Sequence, residues 1–157
     1  MELKLLIENE YIPQIKKEIQ TATKLLYATI YVAKIHKNRK RDEVKLLLDD
    51  IINLKKKNLD VRILFNSIQN NSLVSRANRE SFTYLRTNGV QIRYTPDKRT
   101  THCKLFIIDD NISILGSHNL SNISLHSNRE VSIFIKDEMT NFLLKEYFLK
   151  NFIGAKE

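Results

Sequence analysis

His102 and Lys104 are separated by one residue. On an extended chain, residues i and i+2 face the same side. An imidazole and an ammonium would then point into one site, with Cys103 turned away toward the core. Ser117 and Asn119 repeat the spacing beside Gly116, whose missing side chain lets backbone come close. Asn128 and Glu130 repeat it again, entering the last strand on one face. The set suits a phosphodiester. A neutral imidazole attacks phosphorus, and a carboxylate on its other nitrogen would fix the tautomer and stabilise the cation that forms. Lys and Asn can hold the phosphate oxygens as charge develops on them. No second carboxylate stands beside Glu130 to build a magnesium site, so Lys104 would supply the charge neutralisation; we expect no metal and no cofactor.

These side chains need a frame. Residues 11 to 24 place Ile12, Ile15, Ile19 and Ala22 at helical spacing, with Pro13 in the first turn. Residues 25 to 35 read as a buried strand. Residues 42 to 57 form the clearest helix, with Asp42 as N-cap and lysines at the C-terminal end. Residues 60 to 65 give a strand, residues 74 to 88 a helix stopped by Gly89, and residues 90 to 94 a strand. Three short strands follow, at 103 to 108, 112 to 115 and 131 to 135, the first two joined through the Asp109-Asp110-Asn111 turn. A helix over 138 to 152 closes the chain. This order predicts an α/β fold, a mixed β-sheet flanked by helices on both faces, as a single domain over residues 1–157.

Composition narrows the partners. The chain has 157 residues and a formal charge of +8, which favours polyanions. Lys98 and Arg99, just before His102, and the basic segment Lys34 to Arg41 are candidate backbone-binding groups, with Arg76 and Arg79 as further ones. The alternative for the segment is a solvated loop. There is no tryptophan to build a stacking platform. One cysteine excludes an internal disulfide. The longest apolar stretch is too short to span a membrane and no signal peptide is evident, so the expected location is cytoplasmic without stable membrane association.

The pattern His102-x-Lys104-x4-Asp109-x6-Gly116-Ser117-x-Asn119, continued by Asn128-x-Glu130, resembles the HKD motif of the phospholipase D superfamily, in particular its small single-motif bacterial nuclease branch. The resemblance implies a metal-independent mechanism. His102 would form a phosphohistidine, with Lys104 and Asn119 on the phosphate oxygens. Glu130 would orient His102 and Ser117 would support the site. Asp109 would anchor the motif's turn, and Asn128 would stand at the site edge. The family's mechanism uses two such motifs and this sequence carries one. The expectation is therefore a two-fold homodimer whose His102 side chains meet at the axis, one as nucleophile and the other as acid and then base.

The implied function is a nuclease acting on DNA, with RNA open as a second substrate. A phospholipase-type phosphatidyl hydrolase would use the same chemistry, and a non-catalytic nucleic-acid-binding dimer would keep the fold. Taken singly, the residues read more plainly: Asp109 as a turn residue, Glu130 as a surface charge, His118 as a packed or rim residue, and His36 and His126 as solvated.

Overall fold

The computed structural model describes residues 1–36, 39, 41–96 and 100–157. The β-branched and aliphatic runs form seven strands: β1 (Glu2–Ile7), β2 (Leu25–Ile30), β3 (Asp60–Phe65), β4 (Gln91–Tyr94), β5 (Leu105–Ile108), β6 (Ile112–Gly116) and β7 (Val131–Lys136). The helices are α1 (Tyr11–Thr21), α2 (Glu43–Lys56), α3 (Leu73–Thr87), α4 (Asn122–His126) and α5 (Glu138–Ile153). One mixed sheet runs in the order β1-β7-β6-β5-β2-β3-β4. β2, β3 and β4 are parallel neighbours, and the other pairs are antiparallel.

Ile12, Ile15 and Ile19 of α1 pack in one core with Leu47, Leu48 and Ile51 of α2 and Phe82 and Leu85 of α3. Phe148 and Phe152 of α5 pack with Tyr27, Leu64, Leu105 and Ile107 in a second core. Since Leu105 and Ile107 alternate with Phe106 and Ile108 of the first core, the helices cover both faces of the sheet.

Local signals behave as the chemistry requires. The Asp42 carboxylate accepts from the amides of Val44 and Lys45, capping α2. Gly89 adopts φ +79 after α3, the left-handed stop expected of it. Two elements lie outside the sequence expectation. β1, in a segment to which the sequence reading assigned no element, pairs antiparallel with β7 at the sheet edge. The short helix α4 follows the motif, capped by the Ser121 hydroxyl. A third difference shapes the site. The strand expected over 25 to 35 ends at Ile30, because the next residues bond elsewhere. Asn78 bonds the Tyr31 carbonyl and the Ala33 amide, while Leu120 takes Val32 and Lys34.

Candidate active site

Lys104 and His102 converge, although both precede β5, which begins at Leu105 and not at Cys103 as expected. Lys104 is 7% exposed, and its Nζ donates to the His102 carbonyl at 2.7 Å and lies 3.2 Å from each ring nitrogen. Burial pulls the Lys104 pKa below its ordinary value, against the opposing pull of the Cys103 and Glu130 charges. Cys103 turns to the other side and packs on the α5 core, where burial raises its thiol pKa against the opposing Lys104 charge.

β6 ends at Gly116, so the alternation expected to pair Ser117 with Asn119 does not continue. Asn119 lines a small cavity with Tyr31 and Lys104, and its Oδ1 is buried without a hydrogen-bond partner. Ser117 instead turns to Glu130, donating its hydroxyl to that carboxylate and accepting from the Val131 amide.

Glu130 also accepts from Ser124 Oγ at 2.7 Å and from Asn128 Nδ2 at 3.1 Å. Desolvation is the largest single effect and raises its pKa, but these hydrogen bonds and the nearby His118 together outweigh it and hold the carboxyl below the usual carboxylate value. No hydrogen bond joins Glu130 to His102 within the chain, so its expected orienting contact is not made here. Its contacts lead instead to Asn119: the Ser124 hydroxyl that donates to Glu130 accepts from the Asn119 amide at 2.8 Å. Ser124 sits on α4 and was not singled out from the sequence. Asn128 is exposed beside Glu130, to which it donates.

Gly116 is required by close approach. A Cβ there would lie 2.4 Å from the Ser132 Cα and 2.3 Å from its Oγ. Gly116→Ala is expected to cost about 1–3 kcal/mol, read as a lower denaturant midpoint, because the obstructing atoms include backbone.

Asp109 is placed at the far end of β5 from Lys104. It adopts φ +53, and its carboxylate accepts from the amides of Thr23, Lys24 and Leu25 at the start of β2. It stays out of the site and anchors the β5–β6 turn. His118 packs rather than reacts: it is 1% exposed and stacks on Tyr11 at 4.3 Å. Its Nε2 donates to the Glu8 carbonyl at 2.9 Å, leaving Nδ1 to accept from the Ser132 hydroxyl at 2.8 Å. Burial lowers its pKa below 6.5. The folded protein therefore binds fewer protons at this ring than the unfolded chain just below that pH. Stability should decline as pH falls below 6.5, and His118→Gln should flatten this slope in pH-dependent urea titrations.

Among the surface candidates, Arg79 donates to the Ile68 and Asn70 carbonyls and so braces a loop. His126, expected to be solvated, lies 3.0 Å from Glu43. Lys98 and Arg99 lie outside the described residues, as do Lys37, Asn38 and Lys40 of the basic segment. Arg39, within that segment, bonds the Asn122 side chain at the start of α4. No helix among the described residues is long and apolar enough to cross a membrane, and no cluster of His, Cys, Asp and Glu among them could hold a metal ion.

Residues 15–152 match the family described as "Cardiolipin synthase, PLD-like domain". The chain belongs to the phospholipase D superfamily. Superfamily enzymes act on phosphodiester bonds, and the chain carries that phosphodiesterase fold. The minor cardiolipin synthase ClsB of Bacillus subtilis is 32% identical over 133 residues, which is 75% of this chain and 33% of that protein. The chain thus spans about a third of the length of that curated relative. The phospholipase D family member Nuc from Salmonella typhimurium superposes with a TM-score of 0.79 at 16% identity, covering 99% of this chain and 97% of that one. NucT from Helicobacter pylori also gives 0.79, at 18% identity, covering 99% and 98%. These likenesses show the fold, a mixed sheet flanked by helices as expected from the element order, with β1 as a seventh strand beyond that expectation.

Proposed function

We propose that residues 1–157 form one catalytic domain, a metal-independent phosphodiesterase that hydrolyses nucleic acid, DNA first, through a covalent phosphohistidine in a site shared by two copies. His102 attacks phosphorus as the bond to the leaving oxygen breaks, and the partner subunit's His102 protonates that oxygen. The same partner imidazole then takes a proton from water, which attacks the phosphohistidine and releases the phosphate and free His102. Lys104 and Asn119 bind the oxygens that gain charge, Lys104 as a buried cation and Asn119 through its side-chain amide. Glu130 and Ser117 hold the Asn119 region in register, with Asn128 at the edge.

The observation that carries the nucleic-acid reading is the placement of the basic segment. Lys34 donates its amide to the Leu120 carbonyl and Arg39 bonds Asn122, so this segment lies against the residues that follow Asn119. On a chain of charge +8, the cations Lys34 and Arg39 near Asn119 support a partner with a phosphate backbone. Lys98 and Arg99, just before His102 in the sequence, are proposed as further substrate-binding groups.

The surface supports the two-fold assembly. Leu3, Leu5 and Ile7 of β1 and Val131 of β7 are at least half exposed on the sheet face that α5 leaves open. Phe142 and Leu143 of α5 are also at least half exposed. Val131 adjoins Glu130, so the patch begins at the site. Sedimentation showing a fully active monomer would overturn the shared site.

A second reading, a hydrolase or transferase of phosphatidyl groups, is favoured by the identity to ClsB. The deciding experiment offers plasmid DNA, single-stranded DNA, RNA and phosphatidylglycerol liposomes in EDTA. Nucleic-acid cleavage that falls steeply between low and moderate salt is expected. Headgroup release without nucleic-acid cleavage would replace the first reading by the second.

A further inference from the structure

Tyr31 stands outside the motif, and no periodicity marks it. Its ring centroid lies 4.4 Å from that of His102 at an interplanar angle of 57°. The Lys104 ammonium sits over the same ring, 4.6 Å from its centroid. One aromatic ring therefore touches both the imidazole and the cation.

Both neighbours need such a contact. His102 is exposed and lies in the irregular stretch before β5, so no strand ladder fixes its direction. Lys104 is buried, and among the described residues no carboxylate lies within ion-pair distance of it. A neutral imidazole has a single acceptor nitrogen, so His102 and its carbonyl satisfy only part of the ammonium. The face of an aromatic ring carries negative potential without a formal charge. A carboxylate in that place would bind the ammonium and repel an incoming phosphate. The Tyr31 ring steadies the cation and leaves its charge available.

The backbone under this ring is clamped from two sides. Asn78 and Ser81 of α3 are both fully buried. Asn78 Nδ2 donates to the Tyr31 carbonyl at 2.9 Å, its Oδ1 accepts from the Ala33 amide at 2.9 Å, and Ser81 Oγ donates to the Ala33 carbonyl at 2.9 Å. From the other side, the Leu120 amide donates to the Val32 carbonyl at 2.9 Å, one residue beyond Asn119. The segment is thus tied both to the core and to the motif.

We propose that Tyr31 is a positioning residue of this site: its ring face holds the Lys104 ammonium against His102 without neutralising it, on a backbone fixed by Asn78 and Ser81. The effect on turnover rests on the phosphodiesterase reading; the ring–ammonium contact does not.

The test replaces Tyr31 by phenylalanine and then by phenylalanines of increasing ring fluorination, which weaken the ring's negative face while nearly preserving its shape. Tyr31→Phe should stay within about threefold of wild type, and kcat should fall by about tenfold toward the trifluorinated ring, with KM changing less. The Lys104 titration, followed through its labelled Cε, should move to lower pH in step. The other titratable groups acting on Lys104, namely His102, Cys103 and Glu130, are unchanged through the series. A Lys104 titration that stays flat across the series would overturn the proposal, whatever happens to kcat. Should wild type hydrolyse neither DNA nor phosphatidyl lipid, the phosphodiesterase reading fails, and the Lys104 titration still decides this one.

Discussion

His102→Ala is expected to abolish phosphodiester hydrolysis, lowering kcat by about 10⁴-fold or more in EDTA, with the fold intact. The size of the effect follows from covalent catalysis. An intermediate that cannot form removes the whole route, whereas a lost binding contact only slows it. His102 is solvent-exposed and outside the strands, so its removal leaves no cavity in either core. The variant should therefore melt within about 1 kcal/mol of wild type. Acid-quenched turnover should trap phosphate on wild type and none on the variant. Equal cleavage by His102→Ala would sink the mechanism. If the proposed shared site uses two imidazoles, activity in mixtures of wild type and variant should fall faster than the wild-type fraction.

Lys104→Met carries the second largest expected effect, a loss of about 10²–10³-fold in kcat. It should also separate function from stability. The ammonium is buried with no ion-pair partner among the described residues, and burial lowers its pKa. Replacing an unpaired buried cation by an apolar chain of similar length should leave stability unchanged or raise it. The expected result is thus a nearly inactive protein with an equal or higher melting temperature. Lys104→Arg should not restore the rate, since a planar guanidinium does not fit where a compact ammonium sits beside His102 and Tyr31. In wild type the lowered pKa has a definite sign. Lys104 must be protonated to bind the phosphate oxygens, so activity should fade on the alkaline side at a pH below 10.5. A Lys104→Met protein that keeps wild-type kcat would remove Lys104 from the mechanism.

The sequence was most informative where one residue's chemistry decides a local outcome. Asp42 caps α2, Gly89 ends α3, and Asp109 tolerates the left-handed turn while its carboxylate gathers three amides. The alternation of apolar residues places Phe106 and Leu105 on opposite faces, and so predicts helices on both. It misled at the strand ends. Alternation continues only while a ladder of backbone bonds continues. Beyond Ile30 and Gly116 those bonds pass to Asn78, Leu120 and Ser124, which are distant in sequence or lie on elements too short to show a period. β1 was missed for a related reason: it is an edge strand covered on one face only, so Leu3, Leu5 and Ile7 remain largely exposed.

By itself, the sequence determined the superfamily and the mixed sheet and marked the candidate site side chains, because a fixed spacing of His, Lys, Gly, Ser and Asn encodes chemistry that few other arrangements supply. Tertiary structure alone decided how those groups are held. It sets Glu130 on Ser117 and Ser124, stacks His118 on Tyr11, and lays the ring of Tyr31 against both His102 and Lys104. These contacts join residues separated by dozens of positions, and only the packing of the elements brings them together.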